Sequence, residues 1–147
     1  MFGSAPATAA PRCIDGSANE ASAAGSDAGP PHFSPAFLRR VVSIDASTDG
    51  LSANALPISI EALCGLPRAL EKQGAQLPGG DGVALVSSRT SVWANGTRLP
   101  PDRKLVDLDG ADSVRMRARL LPQRSWQADE DGNGIPTFAA TRIVITD

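Results

Sequence analysis

The sequence predicts an α+β fold in which a mixed β-sheet packs against one kinked helix, with an additional C-terminal β-hairpin. Three observations predict it. Residues 38–58 contain two strand-like segments separated by a turn, which is the pattern of a β-hairpin. Residues 60–70 then place apolar side chains at helical spacing. An Asn-Gly turn at 95–96 and a strand over 113–120 with strict alternation complete the pattern.

The first 31 residues differ in composition from the rest of the 147-residue chain. They are mostly Ala, Gly, Ser, Pro and Asp, with Phe2 and Ile14 as their large apolar groups. Ordering one residue costs roughly 1–2 kcal/mol of backbone entropy, which so little apolar surface does not offset. We therefore predict a disordered tail over 1–31, a folded domain over 32–121 and a C-terminal extension over 122–147.

The folded part begins with a hairpin and a helix. Residues 38–46 and 51–58 are predicted strands, joined by a turn that contains an Asp-Gly pair. Ser59 is suited to cap the next element, because its hydroxyl can accept a hydrogen bond from a free amide of a first helical turn. Pro67 removes an amide donor, so the helix over 59–74 is expected to be kinked or divided. The apolar positions at helical spacing are Ile60, Leu63, Leu66 and Leu70.

The second half adds five more elements. Residues 83–86 and 90–94 are predicted strands, and the Asn-Gly turn leads from the second of them into a short strand. Leu105 and Leu108 are expected to pack a short helical or 3₁₀ segment against the sheet. The last strand would place Val114, Met116, Ala118 and Leu120 inward and Arg115, Arg117 and Arg119 outward. This order of elements is that of the β-grasp fold.

Residues 92–120 resemble the second half of ubiquitin-like domains. Gly96, Leu99, Leu105 and Asp107 stand at the spacing of that family's glycine turn and leucine pair. The resemblance implies a ubiquitin-like β-grasp domain that binds other proteins. Ubiquitin-like modifiers end in a Gly-Gly carboxylate, whereas this chain continues with Leu-Pro-Gln-Arg after the last strand. We therefore expect an interaction module or complex subunit that cannot be conjugated.

The resemblance also implies a binding surface on the sheet. Trp93 stands just before the glycine turn, where the family often has an apolar contact residue, and aromatic side chains dominate interface energies. The alternative is that this indole packs beneath residues 122–147. The expected contacts with a protein partner are Trp93, Arg98, Arg115, Arg117 and Arg119.

The arginine-bearing strand supports an alternative function. Its three arginines, with Arg124 and Trp126 beyond them, suit phosphate contacts and base stacking, as in single-strand binders built on small OB-like β-barrels. Residues 114–145 would supply strands to such a barrel. The net charge of −2 argues against bulk binding of phosphate backbones but allows a local basic face. A solvated sheet face is the third interpretation.

No pattern indicates catalysis, a metal ion or a cofactor. His32 is the only histidine, and no nucleophile, base and orienting group stand together, so we expect no enzyme. Residues 129–134 copy the first half of an EF-hand loop, but Ala140 stands where the bidentate glutamate belongs. An acidic hairpin loop is the expected structure there.

The sequence also bears on the compartment. It contains no run of about 18 apolar residues and no secretory or mitochondrial signal, so we expect no membrane association. Cys13 and Cys64 have no cysteine or histidine at metal-binding spacing, and two unrelated thiols favour a reducing environment. We therefore expect a cytoplasmic or nuclear protein.

Overall fold

The computed structural model describes residues 13–15, 33–128 and 130–146. These residues form ten strands, three short α-helices and two 3₁₀ turns, the latter at Arg68–Leu70 and Gln123–Ser125. The helices are α1 (Pro35–Leu38), α2 (Glu71–Gly74) and α3 (Pro101–Asp109). The strands are β1 (Cys13–Asp15), β2 (Val41–Thr48), β3 (Ala55–Cys64), β4 (Asp81–Leu85), β5 (Ser91–Ala94), β6 (Thr97–Arg98), β7 (Ser113–Leu120), β8 (Gln127–Ala128), β9 (Gly134–Ile135) and β10 (Thr137–Ile145).

Five of these strands close into a barrel. β2 pairs with β3 and β7, β10 pairs with β7 and β4, and β4 pairs with β3, which completes the ring. Four of these pairs are antiparallel, and the β4–β10 pair is parallel. Three short strands extend the sheet outside the ring: β1 on β3, β5 on β10, and β6 on β5.

Alternating apolar residues fill the inside of the barrel, as expected for a ring of few strands. In β7, Val114, Met116, Ala118 and Leu120 are buried, and the arginines between them are exposed. Helix α3 contributes Leu108, which is fully buried, whereas Leu105 is 39% exposed. The predicted alternation of this strand is therefore confirmed, and one of the two leucines predicted to pack against the sheet does so.

The predicted β-grasp fold, and with it the ubiquitin-like resemblance, is wrong. Residues 59–64, expected to open a helix, are the end of β3, and only Glu71–Gly74 of the predicted span is α-helical. The register between β2 and β3 shifts at Asp45/Ala46, which leaves an extra residue on β3. Because of this bulge, the buried residues Ile60 and Leu63 lie three positions apart, a spacing that imitates a helix.

The prediction that residues 122–147 form a hairpin in addition to the main fold is also wrong. β10 is a strand of the barrel itself, paired with β7 on one side and with β4 and β5 on the other. Its side chains Phe138 and Ile143 are fully buried in the core. The hairpin that exists is the short β8–β9 pair, in which Gln127 lies opposite Ile135.

The turns and the first hairpin agree with prediction, although the strand limits differ. β2 and β3 are antiparallel neighbours, as expected for the hairpin over 38–58. The β5–β6 turn places Asn95 at φ +54° and Gly96 at φ +78°, the conformation that favours an Asn-Gly pair in a tight hairpin.

The two cysteines form a disulfide, so their interpretation as unrelated thiols is wrong. β1 runs antiparallel to β3 and brings Cys13 opposite Cys64 across 51 residues of sequence. Apart from Cys13–Asp15, the predicted tail lies outside the described residues, as do His32 and Asp129 of the expected acidic loop.

In the described part of the chain, the longest helix has nine residues, and none is long and apolar enough to cross a membrane. The prediction of a cytoplasmic or nuclear location stays a prediction.

Candidate functional site

One outer surface of the sheet gathers most of the predicted contact residues. Paired residues of neighbouring strands project to the same side, so the register defines rows of side chains across the strands. One row runs over Ser43, Arg117, Arg142 and Ser91. The next row runs over Asp45, Arg115, Val144, Trp93 and Arg98. We call these two rows, with the neighbouring Arg119, the arginine face.

The arginine face crosses five strands, namely β2, β7, β10, β5 and β6. Neighbouring strands lie about 4.8 Å apart, so the face is about 19 Å wide. All five residues predicted as partner contacts lie on it, and Arg98, Arg115, Arg117 and Arg119 are exposed. The sequence therefore predicted residues that the fold does bring together, although it predicted them on a different fold.

Charge on this face is compensated at one arginine. The Nε atom of Arg115 lies 2.8 Å from Oδ1 of Asp45, in an exposed salt bridge. The hydrogen bond to Asp45, together with the attraction between the two charges, raises the pKa of Arg115. Within the described residues, Arg117, Arg119 and Arg142 form no ion pair. The face therefore keeps an uncompensated positive charge even though the chain as a whole is slightly acidic.

Arg117 and Arg142 lie directly opposite each other on β7 and β10. Like charges in this cross-strand position destabilise a sheet. A register shift between Ala140 and Arg142 produces the arrangement, because it leaves Thr141 unpaired and turns Arg142 to the outside. An anion bound between the two guanidinium groups would remove their repulsion.

Trp93 is half-buried beside this pair. Its indole Nε1 donates a hydrogen bond of 3.3 Å to Oγ of Ser91. The guanidinium carbon of Arg142 lies 4.8 Å from the ring centroid, within the range of a cation–π contact. The ring thus packs against a residue of β10 on the outer face, while the preceding Val92 points into the core.

The other predicted aromatic residue lies elsewhere. Trp126 packs against the margin of the core, with its ring centroid 6.1 Å from that of Phe33, and its Nε1 donates to the carbonyl of Leu121 at 2.7 Å. This indole holds the 3₁₀ turn against the barrel. The structure does not bring Trp126 into either row of the arginine face.

Sequence reasoning missed two cations of this surface. Arg142 reaches it through the bulge in β10, for which the sequence Thr-Arg-Ile-Val carries no signal. Arg40 donates to the carbonyl of Gly65 at 3.2 Å. With Arg115 and Arg117, it lines a groove of about 670 Å³ that continues the face towards the disulfide. Neither residue belongs to the Arg-x-Arg-x-Arg alternation of β7, which is the pattern that predicts the other arginines.

The opposite side of the barrel has a different character. Neither β3 nor β4 contains a lysine or an arginine. Their exposed side chains include Ser59, Glu61 and Asp81. The exposed arginines of the arginine face therefore lie on one side of the barrel, and the side formed by β3 and β4 carries exposed carboxylates and no cation on its strands.

The arginine face combines guanidinium groups, which form bidentate hydrogen bonds with phosphate, and an indole, on which a planar ring can stack. None of these groups is a nucleophile or a general base at neutral pH, and the prediction that the protein is not an enzyme stays a prediction. In the described residues, no three His, Cys, Asp or Glu side chains cluster in a way that would hold a metal ion. Compared with known proteins, the chain significantly matches no protein-family model, no curated protein and no solved structure.

Proposed function

We propose that this protein binds single-stranded nucleic acid on the arginine face. The observation that carries the proposal is the cluster of Trp93, Arg142 and Arg117, in which a stacking surface adjoins two uncompensated cations. The barrel supports it: five strands with a single parallel pair, β4 with β10, form an OB-like arrangement, and this fold often binds oligonucleotides. Fold similarity alone would be weak support, so the proposal rests on the side chains.

Spacing on the arginine face suits an extended strand. Arg115, Arg117 and Arg119 alternate along β7, so their Cα atoms are about 6.8 Å apart. Arg142 and Arg98 add cations across the neighbouring strands. For a single-stranded ligand, each phosphate contact contributes about −0.7 to the slope of log K against the logarithm of the salt concentration. Four uncompensated arginines therefore predict a slope of about −3.

The indole favours single strands over duplexes. The bases of a duplex are stacked on each other and present only their edges, whereas an unpaired base can lie flat on an aromatic ring. Such stacking contributes about 1–3 kcal/mol per base and tolerates any sequence. We therefore expect weak sequence preference and a clear preference for unpaired strands.

The proposed surface differs from the one that OB-folds commonly use. That surface lies on their second and third strands, which correspond here to β3 and β4. Glu61 and Asp81 on these strands would repel phosphates, and no cation on β3 or β4 compensates them. Charge therefore favours the side formed by β2, β7, β10 and β5.

A protein partner, the function expected from the sequence, competes for the same arginines, and these cations favour a partner with an acidic surface. The two kinds of partner differ in their contact with Trp93, because a nucleic acid base stacks on the indole and changes its fluorescence. A surface carboxylate pairs with an arginine and does not stack on the ring, so it changes the surroundings of the indole only where it moves Arg142 away from Trp93. Oligonucleotides that fail to bind at low salt would favour the protein partner.

The test is fluorescence anisotropy with labelled oligonucleotides of about 16 nucleotides, the upper site size of one small barrel. Titrations between about 50 and 200 mM salt give the slope. Arg117→Glu and Arg142→Glu should each weaken binding strongly. Lys72→Glu is the matched control, since Lys72 is exposed on α2 and lies outside both rows of the face. Equal affinities of the three variants and the unchanged chain would overturn the proposal.

A further inference from the structure

A pocket of about 270 Å³ opens beside the arginine face, between the segment that precedes β5 and the start of α3. Its polar lining residues are Ser88, Thr90, Ser91, Arg98 and Lys104. No acidic side chain of the described residues lines it. A concave site with two cations, several hydroxyl groups and no carboxylate has the chemistry of an anion site.

Lys104 is the unusual member of this lining. Lys104 is 8% exposed. The buried Leu108 lies one helical turn after it, on the same side of α3. The Nζ atom of Lys104 donates to the carbonyls of Ser87 at 2.8 Å and of Thr90 at 2.9 Å. These two bonds use two of the three donors of an ammonium group.

The charge of Lys104 has no counterion among the described residues. A buried ammonium without an anionic partner is costly, and carbonyl groups satisfy its donors without neutralising it. A lysine whose only role is to connect a loop to a helix can keep its charged group in solvent, because its long apolar stem reaches the protein surface. Here Lys104 lines the pocket, and its ammonium group is held by the carbonyls of the segment that precedes β5.

The pocket is connected to the stacking site. Ser91 lines the pocket, accepts the hydrogen bond from Nε1 of Trp93, and lies opposite Arg142 on β10. Arg98 lines the pocket and is paired with Trp93 across β5 and β6. A phosphate in this pocket would therefore be held next to a base on Trp93, by residues that also position the indole.

We infer that this pocket binds a phosphate group of the nucleic acid strand, with Lys104 and Arg98 as its cationic ligands. The identity of the strand rests on the proposed function, whereas affinity for a phosphate group follows from the pocket itself. A phosphomonoester at a strand end and a phosphodiester within the strand share the required chemistry. The experiments below distinguish them.

The first experiment uses thymidine 5′-monophosphate and thymidine as probes, with intrinsic tryptophan fluorescence as the readout. The monophosphate should bind at least tenfold more tightly than the nucleoside. Arg98→Gln and Lys104→Met should abolish this difference, and Lys72→Met should preserve it. Equal affinities for the two probes in the unchanged protein, or a difference that persists in both pocket variants, would overturn the inference.

The second experiment uses oligonucleotides with and without a 5′-phosphate. If a terminal phosphate occupies the pocket, only the phosphorylated strand should lose affinity in the pocket variants. If an internal phosphate occupies it, both strands should lose affinity in Lys104→Met, which removes no cation of the arginine face, and the magnitude of the salt slope should fall by about 0.7. Lys104→Gln also removes the charge and keeps a hydrogen-bond donor, so it serves as the test if Lys104→Met does not fold.

The two proposals fail in different ways. Oligonucleotide binding that Lys104→Met leaves unchanged would refute the pocket and leave the proposed function standing, because Lys104 lies outside the arginine face. Phosphate-dependent mononucleotide binding without oligonucleotide binding would support the pocket and refute the proposed function. Mononucleotide binding that does not depend on the phosphate would place the base on Trp93 alone, and would refute the pocket.

Discussion

Arg142 lies over the indole of Trp93, with 4.8 Å between its guanidinium carbon and the ring centroid, although 49 residues separate the two in sequence. β5 and β10 are parallel neighbours, and Val144 rather than Arg142 is the direct partner of Trp93. The contact is therefore diagonal, and it leaves Arg142 next to Arg117 as well. One cation thus joins the stacking surface to the phosphate-binding row.

Replacing Trp93 should weaken binding without unfolding the protein. Trp93→Ala removes a stacking surface worth about 1–3 kcal/mol, so Kd should rise roughly 5- to 150-fold. Trp93→Phe keeps an aromatic ring and should retain most of the affinity. Anisotropy titrations measure Kd, and thermal unfolding checks that both variants fold. An alanine variant that binds as tightly as the phenylalanine variant would show that no base stacks there.

The arginines of β7 should contribute unequally. Arg117→Gln should reduce the magnitude of the salt slope by about 0.7, because it removes an uncompensated charge. Arg115→Gln should change the slope less, since Asp45 already balances Arg115 at 2.8 Å. Asp45→Asn should increase affinity by freeing that arginine. The same affinity for the Arg115→Gln and Arg117→Gln variants would mean that the salt bridge with Asp45 does not weaken the contribution of Arg115 to binding.

The place of β10 in the barrel predicts a large loss of stability on truncation of its core residue. Phe138 is fully buried, so Phe138→Ala should lower the free energy of unfolding by about 3–5 kcal/mol. Val106→Ala is the control, since Val106 is 62% exposed and should shift stability by no more than about 0.5 kcal/mol. Urea unfolding gives both values. A small effect at Phe138 would mean that residues 137–145 lie outside the core.

The disulfide predicts that stability depends on redox conditions. In the chain-entropy account, a crosslink across 51 residues stabilises the folded state by about 4 kcal/mol. Urea unfolding with and without a dithiol reductant should show a lower midpoint after reduction. The variant with Cys13→Ser and Cys64→Ser should have the low midpoint under both conditions. A midpoint that does not respond to the reductant would contradict the pairing.

Local patterns in the sequence predicted local structure well. The alternation of β7 was visible because one of its faces is buried and the other is exposed. The Asn-Gly turn was visible because few residues adopt positive φ at both central positions. These features also gave the predicted contact residues, since the turn and the strand carry them.

The closure of the sheet was not visible in the sequence. The predicted β-grasp and this barrel share the first hairpin and the strand over 113–120. They differ in whether residues 59–64 are helix or strand, and in whether residues 137–145 belong to the central sheet. A bulge between Ile60 and Leu63 changed the apparent period from two to three, and periodicity alone does not separate that from a helical turn. Arg142 and the cysteine pair were missed because each depends on pairing between strands that are distant in sequence.

The parallel pair of β4 and β10 has a consequence for how the chain folds. Leu85 meets Ala139 only after more than 50 intervening residues are in place, so the ring closes through one of its most non-local contacts. Loop closure of this length must precede the gain from burying the interior. Barrels dominated by such contacts fold in about milliseconds to seconds, much more slowly than helical bundles. We expect the β2–β3 hairpin to form early and the two long-range pairs of the ring, β2–β7 and β4–β10, to limit the rate.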